Sequence, residues 1–227
     1  MEYKHTVNFW NTLASGNYRE GLVGHYNAHM EDPNEEKYLF RNIPLDGSLL
    51  ALEFGCGPGR NMIKFKDKFS RIDGADISSV ILEKALIDLA EANVSVPNLY
   101  HTNGYSLDMI NDNIYDVVFS IICMQHIGSR DWRLSLYKHF HRILKNDGTL
   151  TFQTGFGPGH PISVDYYHNY TEEDEKNGKH FDVRTEHPSQ VIDDLTASGF
   201  TNITYEITNP CRDQHPLWIW FQAKKEQ

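Results

Sequence analysis

Leu49–Phe54 (LLALEF) is a short apolar run that stops at Gly55-Cys56-Gly57-Pro58-Gly59, after which Arg60–Phe69 reads as a helix. The run has the length of a strand and is too short for a core helix, so it predicts a buried strand. Three glycines in five positions let the backbone turn sharply and approach a ligand closely. Strand, tight glycine turn and helix, in that order, begin a β-α unit, and few fold classes accommodate one.

The alternation continues along the chain. Arg71–Asp76 predicts a second strand. Ser78–Asn93 predicts a helix, with Ser78 as N-cap and Ile81, Leu82, Ala85, Leu86, Leu89 and Ala90 at helical spacing. Leu99–Asn103 and Tyr115–Ile122 (YDVVFSII) follow as strands. Arg130–Leu144 is a helix ended by Asn146-Asp147-Gly148, and Thr149–Thr154 another strand. The pattern then lapses for about thirty residues, long beside the usual connections. It resumes with a helix at Ser189–Ser198 and strands at Phe200–Ile207 and Leu217–Ala223. The last two strands have no helix between them and should pair antiparallel. The expected fold is α/β: a doubly wound, mostly parallel, seven-stranded sheet with an antiparallel edge strand and helices on both faces. Ahead of it, residues 1–45 hold a helix near Tyr3–Ala14 and a loose stretch over Asn17–Asp32.

Composition narrows the function classes. The formal net charge is -10, from 21 basic and 31 acidic side chains, which removes the default electrostatic argument for a nucleic-acid partner. No apolar run reaches the roughly 18 residues a membrane span needs, so no membrane partner is expected. The N-terminal MEYKHTVNFW lacks the pattern of a signal peptide. Three dispersed cysteines, Cys56, Cys123 and Cys211, suit neither a disulfide framework nor a zinc knuckle. A cytoplasmic location is expected.

The glycine loop has a specific chemistry. A dinucleotide fingerprint would place glycine at position 60, where this chain has Arg60. Glu53 stands immediately before the loop, where it would repel a pyrophosphate and attract an amino group. Asp76 ends the second strand, where a carboxylate can accept hydrogen bonds from both ribose hydroxyls. Dinucleotide enzymes share that feature, so Asp76 alone does not discriminate. Asn103-Gly104 after the third strand and Asp116 in the fourth complete the series.

These segments together resemble the class I S-adenosylmethionine-dependent methyltransferases. ALEFGCGPGRN is similar to the first motif of that family, GADIS to the second, NGYSL to the third, YDVVFSIICMQHI to the fourth, and HRILKNDGTL to the helix-turn-strand that follows. The resemblance covers Leu49 to Thr154 and implies a Rossmann-like fold with S-adenosyl-L-methionine as cofactor and S-adenosyl-L-homocysteine as product. It implies that Glu53, Gly55, Cys56, Gly57 and Gly59 hold the methionine end, Asp76 the ribose, and Ile77 the adenine face. Asn103 and Gly104 would lie near the adenine amino group, and Cys123 would border the transferable methyl. Many members carry an acidic residue near the Asn103-Gly104 position; this chain does not. One domain, 1–227, is expected to divide into an N-terminal segment (1–45, a possible lid through Trp10, Tyr18 and Tyr26), a cofactor half (46–154), a substrate cover (155–187) and closing elements (188–227).

His126 follows the fourth strand and is the candidate general base, because ligands bind at the carboxyl ends of the strands in such sheets. The cover contains Tyr166, Tyr167, Tyr170, His160, His168, His180 and Phe181, with a net charge of -4 over 165–186. Tyr166, Tyr167 and His168, joined by His215 at the rim, are the candidate substrate contacts, with the aromatic faces and polar tips suited to a hydroxylated small molecule. His160, Asp165, His168, His180, Asp182 and His187 lack tight ligand spacing, so no metal is expected. Trp218 and Trp220 read as core. Motifs of DNA amino-methylating, cytosine-5 and protein-arginine enzymes are absent after the fourth strand. The first expectation is therefore O-methylation of a sugar or other small metabolite. N-methylation of a small amine, or a non-catalytic S-adenosylmethionine-binding module, are the alternatives.

Overall fold

The computed structural model describes residues 4–19, 30–95, 97–157, 165, 166, 173, 183–209 and 217–226. Its helices are α1 (Lys4–Ala14), α2 (Pro33–Leu39), α3 (Arg60–Lys64), α4 (Ser79–Glu91), α5 (Arg130–Ile143) and α6 (Pro188–Ala197). Its strands are β1 (Leu50–Phe54), β2 (Arg71–Asp76), β3 (Leu99–His101), β4 (Tyr115–Ser120), β5 (Leu144–Phe156), β6 (Asp165–Tyr166), β7 (Val183–Thr185), β8 (Thr201–Thr208) and β9 (Leu217–Lys224). A single 3-10 turn, Met124–His126, follows β4 among the described residues.

The strands form one sheet in the order β3-β2-β1-β4-β5, parallel throughout this half. Beyond β5 the pairing turns antiparallel: β9 pairs β5 and β8 pairs β9. These seven strands are the expected mostly parallel α/β sheet with its antiparallel end. Two short strands were not anticipated. Gly155 and Phe156 of β5 pair with Trp218 and Leu217 along one edge and with Arg184 and Thr185 of β7 along the other. Because β9 occupies one edge of β5, β7 must continue along the edge that β4 uses, beyond β4's carboxyl end. β6 then pairs with β7.

Successive strand residues point to opposite faces, and each face has its own core. Val118, Leu150, Phe152, Ile219 and Phe221 pack with Leu136, Tyr137 and Phe140 of α5 and with Val191 and Leu195 of α6. Ala51, Val117, Phe119, Trp218 and Trp220 pack with Leu39, Met62, Leu82, Ala85 and Leu89 from α2, α3 and α4 and with Phe65 just after α3. The two tryptophans are core, as their alternation with Ile219 implied.

Local sequence explains most element starts. Ser78 caps α4 by accepting from Ile81 N at 3.2 Å. The helix α2 lies inside a segment that sequence periodicity left without an element. Its start is nonetheless encoded: Asp32 accepts from Asn34 N at 2.8 Å and Pro33 occupies the first turn. α3 stops at Lys64 rather than Phe69, and Phe65 and Phe69 turn into the second core instead. Tyr26, His160, Tyr167, His168, Tyr170, His180, Phe181, Asp182, Cys211 and His215 lie outside the described residues, as do the side chains of Asp165 and Tyr166. No helix among the described residues is long and apolar enough to cross a membrane.

Candidate active site

β1, β2 and β4 end on the same side of the sheet, and the loops that leave them line a cleft. The glycine loop forms its floor. Gly55 N and Cys56 N both donate to Ala75 O, at 2.7 and 3.1 Å, which folds the loop back over β2. Gly55, Gly57 and Gly59 have φ of +73, +52 and +85 degrees, a region L side chains rarely enter. At Gly55 a Cβ would also meet the Cys123 sulfur at 2.3 Å. The loop from β4 thus rests directly on the bare backbone of the loop from β1.

Two carboxylates face the cleft from the ends of neighbouring strands. Asp76 Oδ2 accepts from Gly57 N at 2.9 Å and its Oδ1 accepts from Ser78 N at 2.9 Å. Asp76 therefore braces the glycine loop as well as facing the cleft. Burial raises its pKa above the ordinary range against the pull of these backbone donors. Glu53 is 1% exposed, and burial pushes its pKa up to about 8. Its Oε1 accepts from Asn61 Nδ2. Its Oε2 and the Oδ1 of Asn61 are both buried without a hydrogen-bond donor. Buried acceptors normally have a partner. A cleft with two adjacent vacant acceptors fits a ligand that brings an ammonium group.

The remaining predicted positions divide clearly. Gly55, Cys56, Gly57, Ile77, Gly104, Cys123 and His126 line the cleft with Glu53 and Asp76. Gly59 sits behind it, against Leu89, where it starts α3. Asn103 turns away: its Oδ1 accepts from Tyr105 N at 3.1 Å and Ser106 N at 2.8 Å, so its side chain shapes the loop. Burial pushes the Cys123 thiol up to about 12 and the Cys56 thiol well above its usual value, so both stay protonated and serve as wall rather than nucleophile. His187, one of the metal candidates, caps α6, and among the described residues no three potential ligands are grouped to hold a metal.

Several lining residues were not singled out from the sequence. Asn61 follows the loop by two residues, and only its buried, half-satisfied amide marks it. Ile121 and Ile122 line the cleft together with Cys123, three consecutive residues that a strand's alternation would separate. The chain leaves β4 through Ile122 at φ +51 degrees, which breaks that alternation. Thr6 reaches the cleft from α1, as does Trp10, which the sequence had named for the possible lid. The Trp10 ring lies edge-on to His126 at 5.0 Å, and Asn11 is hydrogen-bonded to Ser78 at the far wall. α1 thus spans from the β2 side to the β4 side. Tyr18 does not take part; its hydroxyl donates to Asp88 on α4 at 2.7 Å.

The chain and its fold are similar to known proteins. Residues 51–148 match the family described as a methyltransferase domain. Phosphoethanolamine N-methyltransferase 2 of Caenorhabditis elegans is 27% identical over 160 residues, which are 70% of this chain and 34% of that protein. The fold is that of the Haemonchus contortus phosphoethanolamine N-methyltransferase 2, solved with phosphomonomethylethanolamine and S-adenosylhomocysteine: TM-score 0.68, 18% identity, 94% of this chain and 58% of that chain. It is also that of a Thermotoga maritima S-adenosylmethionine-dependent methyltransferase described as a possible histamine N-methyltransferase: TM-score 0.63, 16% identity, 98% of this chain and 100% of that chain. The chain spans about a third of the curated relative and little more than half of the Haemonchus enzyme.

Proposed function

We propose that this chain is a class I S-adenosylmethionine-dependent methyltransferase and that it methylates the nitrogen of a small amine. The observation that carries cofactor binding is the pair of vacant buried acceptors, Glu53 Oε2 and Asn61 Oδ1, on the same cleft as Asp76. Glu53 and Asp76, at the ends of the neighbouring strands β1 and β2, suit one molecule with an amino-acid end and a ribose. The N-methyltransferase relatives support nitrogen over oxygen as acceptor atom, which reverses the order of preference drawn from the sequence.

When bound, the cofactor supplies a methyl group activated on a sulfonium. The chain's own residues have to place it and keep water away. Glu53 and Asn61 would hold the ammonium, Asp76 the ribose hydroxyls, and Ile77 an adenine face. Trp10, Ile121, Ile122 and Ile127 close the cleft with apolar surface. An amine attacks in its neutral form and needs placement more than a base.

Glu53 gives this reading a pH signature. With its pKa pushed up to about 8, Glu53 is largely protonated at neutral pH in the free protein. An ammonium beside it favours the carboxylate, so binding should release a proton. Affinity for S-adenosylhomocysteine should therefore rise between pH 6 and pH 8, by up to about tenfold per unit. Calorimetry in buffers of different ionisation enthalpy measures the proton directly. Glu53→Gln should abolish the release, and a pH-independent wild-type affinity would reject the assignment.

His126 favours a second reading, because it lines the cleft where a hydroxyl acceptor would need a base. His126→Ala separates the two. An amine acceptor predicts a kcat loss below about tenfold, whereas a hydroxyl acceptor predicts about a hundredfold or more. Tight binding of NAD in place of S-adenosylhomocysteine would overturn both.

A further inference from the structure

We propose that Glu35 is a positioning residue of the cofactor site: by holding the guanidinium of Arg60, it keeps Glu53 Oε2 open for the ligand's ammonium. The inference rests on the reading of the cleft as an S-adenosylmethionine site. Arg60 is 3% exposed and shares the cleft wall with Glu53. Its chain neighbour Asn61 is already hydrogen-bonded to Glu53. The charge of Arg60 acts on Glu53, and a buried guanidinium on the same wall as a buried carboxyl oxygen without a donor is a competitor for it. Arg60 Nη1 donates instead to both oxygens of Glu35, at 3.0 and 3.1 Å.

Glu35 comes from α2, outside every motif of the glycine loop, and is itself 3% exposed. Lys64 Nζ fixes it from the far side at 2.7 Å and donates to Asp32 O, at the start of α2, at 2.7 Å. Glu35 is thus seated by α2 and Lys64 before it meets Arg60. The charges that act on Glu53 are consistent: Arg60 pulls its pKa down, while Glu35 and Asp76 push it up. Without Glu35, Arg60 retains Glu53, on the same cleft wall, as a carboxyl group on which its charge acts. The guanidinium would then occupy the position the ligand's ammonium needs.

Calorimetry with two probes tests this. S-adenosylhomocysteine carries the ammonium; 5′-methylthioadenosine lacks it and shares the rest. Glu35→Gln should weaken S-adenosylhomocysteine by about tenfold or more, the loss of a charged hydrogen bond. It should change methylthioadenosine by less than about twofold. The double variant Glu35→Gln with Arg60→Met removes the competitor and should return S-adenosylhomocysteine to within about threefold of wild type. Equal weakening of both probes by Glu35→Gln, or no recovery in the double variant, overturns the proposal. Glu35→Asp keeps the test open if Glu35→Gln does not fold: its shorter carboxylate should weaken S-adenosylhomocysteine more than methylthioadenosine, and equal weakening of both probes overturns the proposal. A wild-type protein that binds neither probe would instead overturn the cofactor reading beneath it.

Discussion

Gly55→Ala should abolish measurable S-adenosylhomocysteine binding and lower the melting temperature. Two separate effects act at this position. The φ of +73 degrees disfavours any L side chain by about 1–2 kcal/mol. The added methyl would lie 2.3 Å from the Cys123 sulfur and 2.6 Å from its Cβ. Relief requires the β1 loop and the β4 loop to part, and overpacking of this kind costs about 1–3 kcal/mol. Both loops line the cleft, so the displacement falls on the ligand. We expect an affinity loss beyond about a hundredfold, the equivalent of about 3 kcal/mol. Gly57→Ala is the control. Its φ is +52 degrees but nothing lies within 4 Å of its added Cβ. Only the backbone strain remains there, about 1 kcal/mol, so affinity should fall by tenfold or less. If calorimetry shows the two variants alike, the contact with Cys123 does not govern the site.

Asp76→Ala should weaken S-adenosylhomocysteine by about a hundredfold or more, with a smaller loss of stability. The carboxylate accepts from Gly57 N and Ser78 N at 2.9 Å each, and a hydrogen bond to a charged group contributes about 1.5–3 kcal/mol. Removing it leaves the Gly57 and Ser78 donors without that acceptor and withdraws the proposed ribose contact. Asp76→Asn keeps an acceptor for one donor and should recover part of the affinity. The expected order in titration calorimetry is wild type, then Asn, then Ala. A variant Asp76→Ala that binds within about threefold of wild type would remove Asp76 from the site.

The contrast between Glu53 and Asn103 shows how far local sequence carries. Both were named from their place beside a strand end. Glu53 lies in an apolar strand covered on both faces, so either side-chain direction buries it. Asn103 lies in a turn, where its side chain has a competing use: it closes the loop onto Tyr105 and Ser106. A motif match cannot tell those outcomes apart. Trp10 was noted for its aromatic ring in a polar segment, and the structure sets that ring against His126. Tyr18 was noted for the same reason and is spent on Asp88. Glu35 carried no sequence signal, and the Asp32 cap of its helix emerged only in the structure.

Sequence alone settled the order of the seven principal strands and the helices between them, the glycine turn, the Ser78 cap and the division into a parallel half and an antiparallel end. Each depends on preferences that act within a few residues: side-chain alternation, the positive φ open to glycine, the cap oxygen three residues before its amide. The tertiary structure decided that β9 inserts between β5 and β8 and that β7 continues past β4. It also decided that Glu53 is held at a pKa of about 8 with one oxygen vacant, and that Arg60 answers to Glu35. Burial and electrostatic fields are sums over neighbours that the chain brings together from far apart. Glu35, Glu53, Arg60 and Asp76 come from four different elements, and only their folded arrangement makes them one site.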